Sequence, residues 1–248
     1  MVGQSTGSAH MATSIRFGIV AALERELRPL LRRSERIRST PEFAFYEFRD
    51  AVAVCGGIGK AAAARAARAL IAAYRPSSLV SAGFAGAVQP ELNVGDLVVP
   101  AEILDLDTQQ TFRLESGRGV LATTAEIASK NQKAGLASQS ICAIDMEASA
   151  VAREAQQHGM RFLAIKAISD TADFEMPAMN RFIDDGGRFR LAAFLTHVAL
   201  RPAMWPRVRK LAANSARAAF VLSEALDTLL REGRIGKTQV GAIVRVDA

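Results

Sequence analysis

Short apolar runs alternate with amphipathic segments along most of the chain. The first run, SIRFGIVAA from Ser14 to Ala22, predicts a buried strand. The segment after it, LERELRPLLRRS, predicts a helix because its leucines fall on one face at helical spacing. Strands that alternate with helices in this way favour an α/β domain built around a largely parallel sheet.

The same alternation continues through the middle of the chain. EFAFYEFRDAVAVCGG predicts two strands that turn near Arg49 and Asp50. Further strands are predicted for SSLVSAGFAGA, GDLVVPAEIL, SQSICAI and RFLAIKAIS. Helices are predicted for 60–74 and for DMEASAVAREAQQHG, which has Gly159 at its C-terminal cap. Residues 105–137 are predicted to be irregular around a short run, GVLATTAEI, and the chain from Phe182 to Leu230 is predicted to be mostly helical.

These segments together predict one domain. We find no internal repeat and no dividing linker, so the predicted fold is a single α/β domain over 14–230, with a central mixed, largely parallel sheet flanked by helices. Residues 1–13 are predicted to be a disordered leader, and 231–248 form a tail for which the pattern predicts no structure.

The composition bounds the class of protein. Of the residues, 50% are hydrophobic and 23% are charged, as in ordinary globular domains. No apolar run reaches the roughly 18 residues of a membrane-spanning helix, and the first residues lack the pattern of a secretory signal. Cys55 and Cys142 lie in apolar runs, are predicted to be buried thiols and favour a cytoplasmic location. Histidines and cysteines show no metal-ligand spacing, so no metal is predicted.

Positive charge is concentrated late in the chain. The net charge is +6, and Arg201, Arg207, Arg209, Lys210 and Arg217 cluster around Trp205. Aromatic residues make up only 6% of the chain and do not interleave with the basic ones, so we predict no nucleic-acid partner. A solvated helix face is the favoured interpretation, and peripheral contact with a membrane surface is the alternative.

A glycine loop, CGGIGKAAAAR from Cys55 to Arg65, follows the apolar run Ala51–Val54. It fits G-x-G-x-x-A, but the dinucleotide fingerprint also needs an acid about 20 residues further on. That region reads LVSAGF, and a P-loop fails because alanine follows Gly59-Lys60. The favoured interpretation is therefore a tight turn with close helix packing, and an oxidoreductase that binds NAD or NADP is an alternative.

Acidic residues stand just after three of the apolar strands. They lie in ALERE, AIDME and AISD, which contain Glu26, Glu147 and Asp170. A single acid at such a place is usually a helix N-cap. Three of them at strand ends, where α/β sheets bind their ligands, fit the cleavage of a glycosidic bond, which needs an acid for the leaving group and carboxylates around the sugar.

Six segments taken together resemble a known family. They are GIVAALEREL, VCGGIGKAAAA, LVSAGFAGAV, NVGDLVV, AIDMEASAVA and AIKAISDTAD, and they span roughly residues 15–175. In this order they resemble the superfamily of purine nucleoside phosphorylases and methylthioadenosine/adenosylhomocysteine nucleosidases. The combination of D-M-E-A with a later A-I-S-D is the most specific part of the resemblance.

The resemblance implies a role for each matching residue. Asp170 is implied to protonate N7 of the departing purine, and Ser169 to orient it. Met146 and Glu147 match the pair that contacts the ribose. Glu26 matches the acid that helps to activate the attacking water in the nucleosidase branch.

The resemblance also implies residues for the nucleophile pocket. Ser81 and Gly83 match the turn near the nucleophile pocket. Lys166 stands at a position where the nucleosidases share an arginine. Phosphate as a co-substrate stays open, with Lys166 and Ser81 as its binding residues. The segment between Val99 and Asp145 is short, and only Ile127 lies near the expected place of the purine-stacking aromatic residue.

The short segment and the basic RPAMWPRVRK segment are similar to one sub-branch, the hopanoid-associated phosphorylases. That similarity implies removal of adenine from adenosylhopane. The superfamily also implies a homo-oligomer and no metal or organic cofactor. A non-catalytic nucleoside-binding or membrane-associated protein on the same fold is the alternative from another class.

Overall fold

The computed structural model describes residues 14–175, 179–184 and 186–233. The predicted leader, 1–13, and most of the predicted tail lie outside the described residues. The described strands form one mixed sheet of eleven strands.

Most of the longer strands follow the predicted apolar runs, whereas some of the short strands lie outside them. They are β1 (Phe17–Ala21), β2 (Arg36–Ser39), β3 (Ala44–Glu47), β4 (Ala51–Cys55), β5 (Ser78–Ala87), β6 (Leu97–Val98), β7 (Glu102–Asp105), β8 (Thr111–Arg113), β9 (Val120–Thr123), β10 (Ile141–Asp145) and β11 (Arg161–Asp170). The order in the sheet is β2-β3-β4-β1-β5-β10-β9-β7-β8, and β11 pairs with β5 and β6.

The helices connect these strands. They are α1 (Glu24–Leu31), α2 (Lys60–Tyr74), α3 (Lys130–Ala137), α4 (Ala148–Gln157), α5 (Leu191–Ala199) and α6 (Trp205–Glu232). Short 3-10 turns cover Asn180–Phe182 and Pro202–Met204.

Strand β5 organises the centre of the sheet. It pairs in parallel with β1 over its first four residues and with β11 from Ser78 to Gly86, and its end pairs antiparallel with β10. The β5–β11 register places Lys166 beside Gly83. Because β1, β5 and β11 run in the same direction, their carboxyl ends meet at one edge of the sheet.

Helices cover both faces of this sheet. On one face α1 and α6 pack against alternate residues of β1, including Ile19, in a cluster that includes Leu222 and Leu226. On the other face α2 and α4 pack against Val20 and its neighbours. Helix α2 comes close because the residues it buries are mostly alanines, as the sequence predicted.

The predicted fold class, a mixed sheet flanked by helices, is confirmed. The predicted 60–74 helix is α2, and the predicted hairpin is β3 and β4. GDLVVPAEIL is not one strand but two, β6 and β7, which Pro100 separates because proline has no amide hydrogen for the sheet.

The prediction that 105–137 is irregular is wrong, because this region contains the end of β7, all of β8 and β9, and α3. The pattern is weak there because β8 buries only Phe112 and the buried residue of α3 is a lysine. A capping box between Ser129 and Gln132 starts α3 instead of an apolar stripe.

Two further predictions concern the cysteines and membrane-spanning helices. Cys55 and Cys142 are both free, the first half-buried and the second buried. Over the ranges given above, the helices are too short or too polar to span a bilayer.

Candidate active site

A cavity of about 330 Å³ opens where β1, β10 and β11 end, beside the second half of β5. Its polar wall includes Glu26, Glu147, Ser169 and Asp170. Glu26, Ser169 and Asp170 meet at the carboxyl ends of the parallel strands β1 and β11, whereas β10 runs antiparallel to β5 and brings Glu147 in from the other direction. The predicted acids therefore lie in one cavity.

Glu26 reaches the cavity from the first turn of α1. Its Oε2 accepts hydrogen bonds from the backbone N–H groups of Ala22 (3.2 Å) and Leu23 (3.3 Å). Burial raises the pKa of Glu26, since desolvation outweighs the opposing effects of Lys166 and the two backbone donors. A buried carboxyl with a raised pKa is suited to accept a proton from water.

Gly83 leaves room for Glu26 to pack against β5. A Cβ at this position would lie 3.0 Å from Glu26 Oε2 and 3.6 Å from Lys166 Nζ. Gly83 and Lys166 are thus directly behind the carboxylate wall, where the resemblance implied the nucleophile pocket.

Lys166 forms a fully buried ion pair with Asp145. The Nζ–Oδ2 distance is 2.8 Å, and the two side chains are 1% and 0% exposed. Asp145 also accepts hydrogen bonds from Thr123 Oγ1 (2.7 Å) and from the Ala148 N–H (2.9 Å). Burial alone would lower the pKa of Lys166, but Asp145, Glu147 and Glu26 together raise it.

Glu147 is the second carboxylate of this group. Its Oε1 accepts a hydrogen bond from the Gly59 N–H (2.8 Å), and its Oε2 accepts one from the Met146 N–H (3.3 Å). Burial first, and then the nearby negative charge of Asp145, raise the pKa of Glu147 to about 8. Met146 lines the cavity beside it, as expected for a sugar-contacting pair.

Asp170 is the last residue of β11 and lines the cavity apart from the Glu26 and Glu147 carboxyls. Its Oδ1 accepts a hydrogen bond from Ser169 Oγ (2.8 Å), and its Oδ2 pairs with the ammonium group of Lys133. The Asp170 side chain is 23% exposed, whereas that of Lys133 is 3% exposed. Both oxygens of this carboxylate are therefore oriented before any ligand binds.

The rest of the cavity wall is largely apolar. Ile127 lies on it, as predicted, but aromatic rings come from elsewhere: Phe84 on β5, and Phe174 and Phe189 in the chain after β11. The short segment before β10 thus adds no aromatic side chain to the described wall, and the rings come from other parts of the chain. Aromatic faces suit stacking on a purine.

Most of the predicted site residues are brought together, and Ser81 is the exception. Glu26, Met146, Glu147, Ser169 and Asp170 line the cavity. Ser81 is buried on β5, away from the cavity wall, and its Oγ finds no hydrogen-bond partner within the part of the chain that the structure describes.

Sequence reasoning missed the aromatic rings named above, Lys133 and the contribution of the glycine loop. Lys133 carries no motif and comes from a segment predicted to be irregular. The glycine loop was predicted to be only a scaffold, but Ile58 lines the cavity and the Gly59 N–H binds Glu147. The backbone N–H of Gly59 in the G-x-G loop therefore binds the Glu147 side chain of this protein instead of a ligand phosphate.

Two observations bear on whether this site holds a metal ion or a dinucleotide. Across 14–175, 179–184 and 186–233, no cluster of three or more histidine, cysteine, aspartate or glutamate side chains has the geometry to hold a metal ion. The predicted absence of a cofactor stays a prediction. The NAD alternative loses its main support, because Glu147 occupies the Gly59 donor that the fingerprint would offer to a phosphate.

The fold and the cavity define an α/β enzyme of the nucleoside phosphorylase and nucleosidase class. A family model described as the phosphorylase superfamily matches residues 16–118 and 113–203. The chain belongs to this superfamily, so the predicted family and enzyme class are confirmed.

Curated relatives and solved structures agree with this assignment. The chain is 27% identical over 214 residues to the 5′-methylthioadenosine/S-adenosylhomocysteine nucleosidase of Bacillus thuringiensis, covering 68% of this chain and 92% of the relative. The fold is similar to futalosine hydrolase of Helicobacter pylori (TM-score 0.66, 18% identity, 88% and 98% of the two chains). It is also similar to a Colwellia psychrerythraea nucleosidase solved with adenine (TM-score 0.64, 22% identity, 92% and 96%).

Proposed function

We propose that this protein hydrolyses the N-glycosidic bond of an adenine nucleoside that carries a large apolar group on its 5′ carbon, and that adenosylhopane is such a substrate. One observation carries the proposal. Asp170, paired on both oxygens, lines the same cavity as the buried carboxyls Glu26 and Glu147.

The chemistry needs these groups in different roles. Asp170 delivers a proton to N7 as the bond between C1′ and N9 breaks, because an unprotonated purine is a poor leaving group. The sugar then carries positive charge, which nearby carboxylates stabilise. Glu147 binds the sugar hydroxyls, and Glu26 takes a proton from the attacking water.

Water is the nucleophile we propose, on electrostatic grounds. The basic residues on the described wall of the cavity are Arg25 and Lys133. Lys133 is paired with Asp170, and Lys166 behind the wall already faces Asp145, Glu147 and Glu26. Each of these two lysines already faces a carboxylate and is not free for a phosphate dianion, which disfavours phosphate as the nucleophile.

The apolar side of the cavity supports a large 5′ substituent. Met179, Ile183, Phe189 and Leu211 line it. Further along the same stretch of chain, large apolar side chains are exposed at the surface: Leu191, Leu195, Leu200 and Trp205 are each more than half exposed. An apolar tail leaving the cavity on this side would meet apolar surface instead of water.

The charge of that surface supports contact with an anionic bilayer. After Asp185 the next acidic residue is Glu224, and the basic residues between them include Arg190, Arg201 and Arg207, all exposed. Exposed leucine and tryptophan among arginines fit a protein that lies on a lipid surface. Peripheral membrane contact is therefore part of the proposal, and a cytoplasmic homo-oligomer stays a prediction.

The testing experiment measures free adenine from a panel of nucleosides, with and without phosphate. The panel contains methylthioadenosine and other soluble 5′-substituted adenosines, and adenosylhopane presented in neutral or anionic vesicles. We expect release that does not depend on phosphate and is fastest for adenosylhopane in anionic vesicles.

Other outcomes would change the proposal in separate ways. Release that requires phosphate would make the enzyme a phosphorylase, and preference for methylthioadenosine would exclude the lipid-tailed substrate. Adenine binding without release from any substrate would favour the non-catalytic alternative.

A further inference from the structure

Lys133 is a buried lysine on the cavity wall to which the reaction above gives no role. It lies on α3, and its Nζ donates to Asp170 Oδ2 and to the Thr171 carbonyl oxygen (3.2 Å). Arg25, the other described cation of the wall, is exposed. A lysine is rarely buried to 3% exposure unless a partner requires it.

The surrounding chain is built to admit this lysine. A Cβ on Gly86 would lie 2.8 Å from Asp170 Oδ2 and 3.0 Å from Lys133 Nζ, so a larger residue at this position would shift the ends of both side chains. Ser169 meanwhile holds the other oxygen of Asp170. Among the described residues, the Lys133 ammonium group is thus the cation that contacts Asp170 directly.

We propose that Lys133 is a positioning residue that supplies, through Asp170, the proton received by the leaving purine. This inference rests on the proposed function. The C1′–N9 bond breaks and its electron pair moves to the purine. Asp170 takes a proton from Lys133 onto Oδ2 and passes it to N7, and water forms the new bond to C1′ while its own proton passes to Glu26. The neutral Lys133 then regains a proton from solvent.

The test compares two leaving groups. Lys133→Met should lower kcat for the preferred adenine nucleoside by about a hundredfold, the usual scale of acid catalysis. With 4-nitrophenyl riboside, whose leaving group departs as a stable anion, the same variant should stay within about threefold of the wild type. Lys130→Met, an exposed lysine one turn earlier on α3, is the matched control and should change neither rate.

Equal losses on both substrates, or no loss on the nucleoside, would overturn the inference. Lys133→Arg keeps the charge and should retain more nucleoside activity than Lys133→Met, which guards against a simple folding defect.

A binding measurement gives a readout that does not need turnover. The wild type should bind adenine more tightly than 7-deazaadenine, which has no N7 acceptor, and Lys133→Met should lose that preference. A preference that the variant keeps would refute the role of Lys133 alone. A wild type that binds neither base and cleaves no nucleoside would refute the proposed function together with this inference.

Discussion

Two buried lysine–aspartate pairs lie at the same edge of the sheet, and they differ in what surrounds them. In the Lys166–Asp145 pair both side chains are almost fully enclosed, and Asp145 has two further hydrogen-bond donors. In the Lys133–Asp170 pair the lysine is enclosed, but the aspartate keeps a face towards the cavity.

Because of this difference in exposure, we expect the two pairs to have different roles. In the first pair Lys166 is a buried cation that offsets part of the negative charge of Glu26 and Glu147, and Asp145 holds it in place. The second pair presents one carboxylate to a ligand. A buried ion pair adds little stability by itself, but removing one partner leaves an uncompensated charge.

The largest effect should come from the pair that faces the cavity. Asp170→Asn removes the proton carrier and should lower kcat for adenine release by about a thousandfold or more. Asparagine has one acceptor oxygen for these two donors and leaves the buried Lys133 without a counter-charge, so the melting temperature should fall by a few degrees while the fold is retained. Initial rates together with thermal melting test this, and a variant that turns over at the wild-type rate would remove Asp170 from the acid's role.

The enclosed pair should be more important for stability. Lys166→Met leaves Asp145 buried and unpaired, which should lower the free energy of unfolding by about 3–5 kcal/mol in urea titrations. Lys133→Met should cost less, because Asp170 can reach water in the cavity. The double variant Lys166→Met with Asp145→Asn is the control and should recover part of the loss. Equal costs for the two single lysine variants would contradict the comparison.

The smallest effect concerns pH. The pKa of Glu147 is about 8 in the folded protein, against an ordinary value of 4.5. Between these values the folded state binds more protons than the unfolded state, so stability falls as pH rises through this window. Glu147→Gln should remove a fall in the free energy of unfolding of at most about 1.4 kcal/mol per pH unit within this window.

Unfolding measured at several pH values would show it. Glu126→Gln, an exposed carboxyl on the same cavity wall, is the control and should follow the wild type. Parallel stability curves for the wild type and Glu147→Gln would argue against a protonated Glu147.

The motifs in the sequence pointed to the strand ends that carry Asp145, Glu147 and Asp170. They did not point to Lys133, the partner of Asp170. Asp145, Glu147 and Asp170 each follow a strongly apolar strand, and the rule that ligands bind at strand ends places such residues together. Helix α2 was predicted correctly because its pattern is long and continuous.

Lys133 could not be found in this way. It lies in KNQKAGLA, a segment with little apolar periodicity, and it is buried only because Asp170, 37 residues further on, is its partner. Likewise, Phe174 and Phe189 reach the cavity from the chain after β11, although nothing local marks them as part of a site. Tertiary contacts of this kind leave no periodic signal.

The hydrogen bond between Gly59 and Glu147 also ties the site to the start of two helices. Gly59 is the N-cap of α2 and Glu147 is the N-cap of α4, and these helices pack together. The carboxylate thus caps the first turn of α2 and lies at the positive end of its dipole. A sugar hydroxyl that competes for the Glu147 carboxylate would weaken its bond to Gly59 and so remove one of the contacts that fix the start of α2.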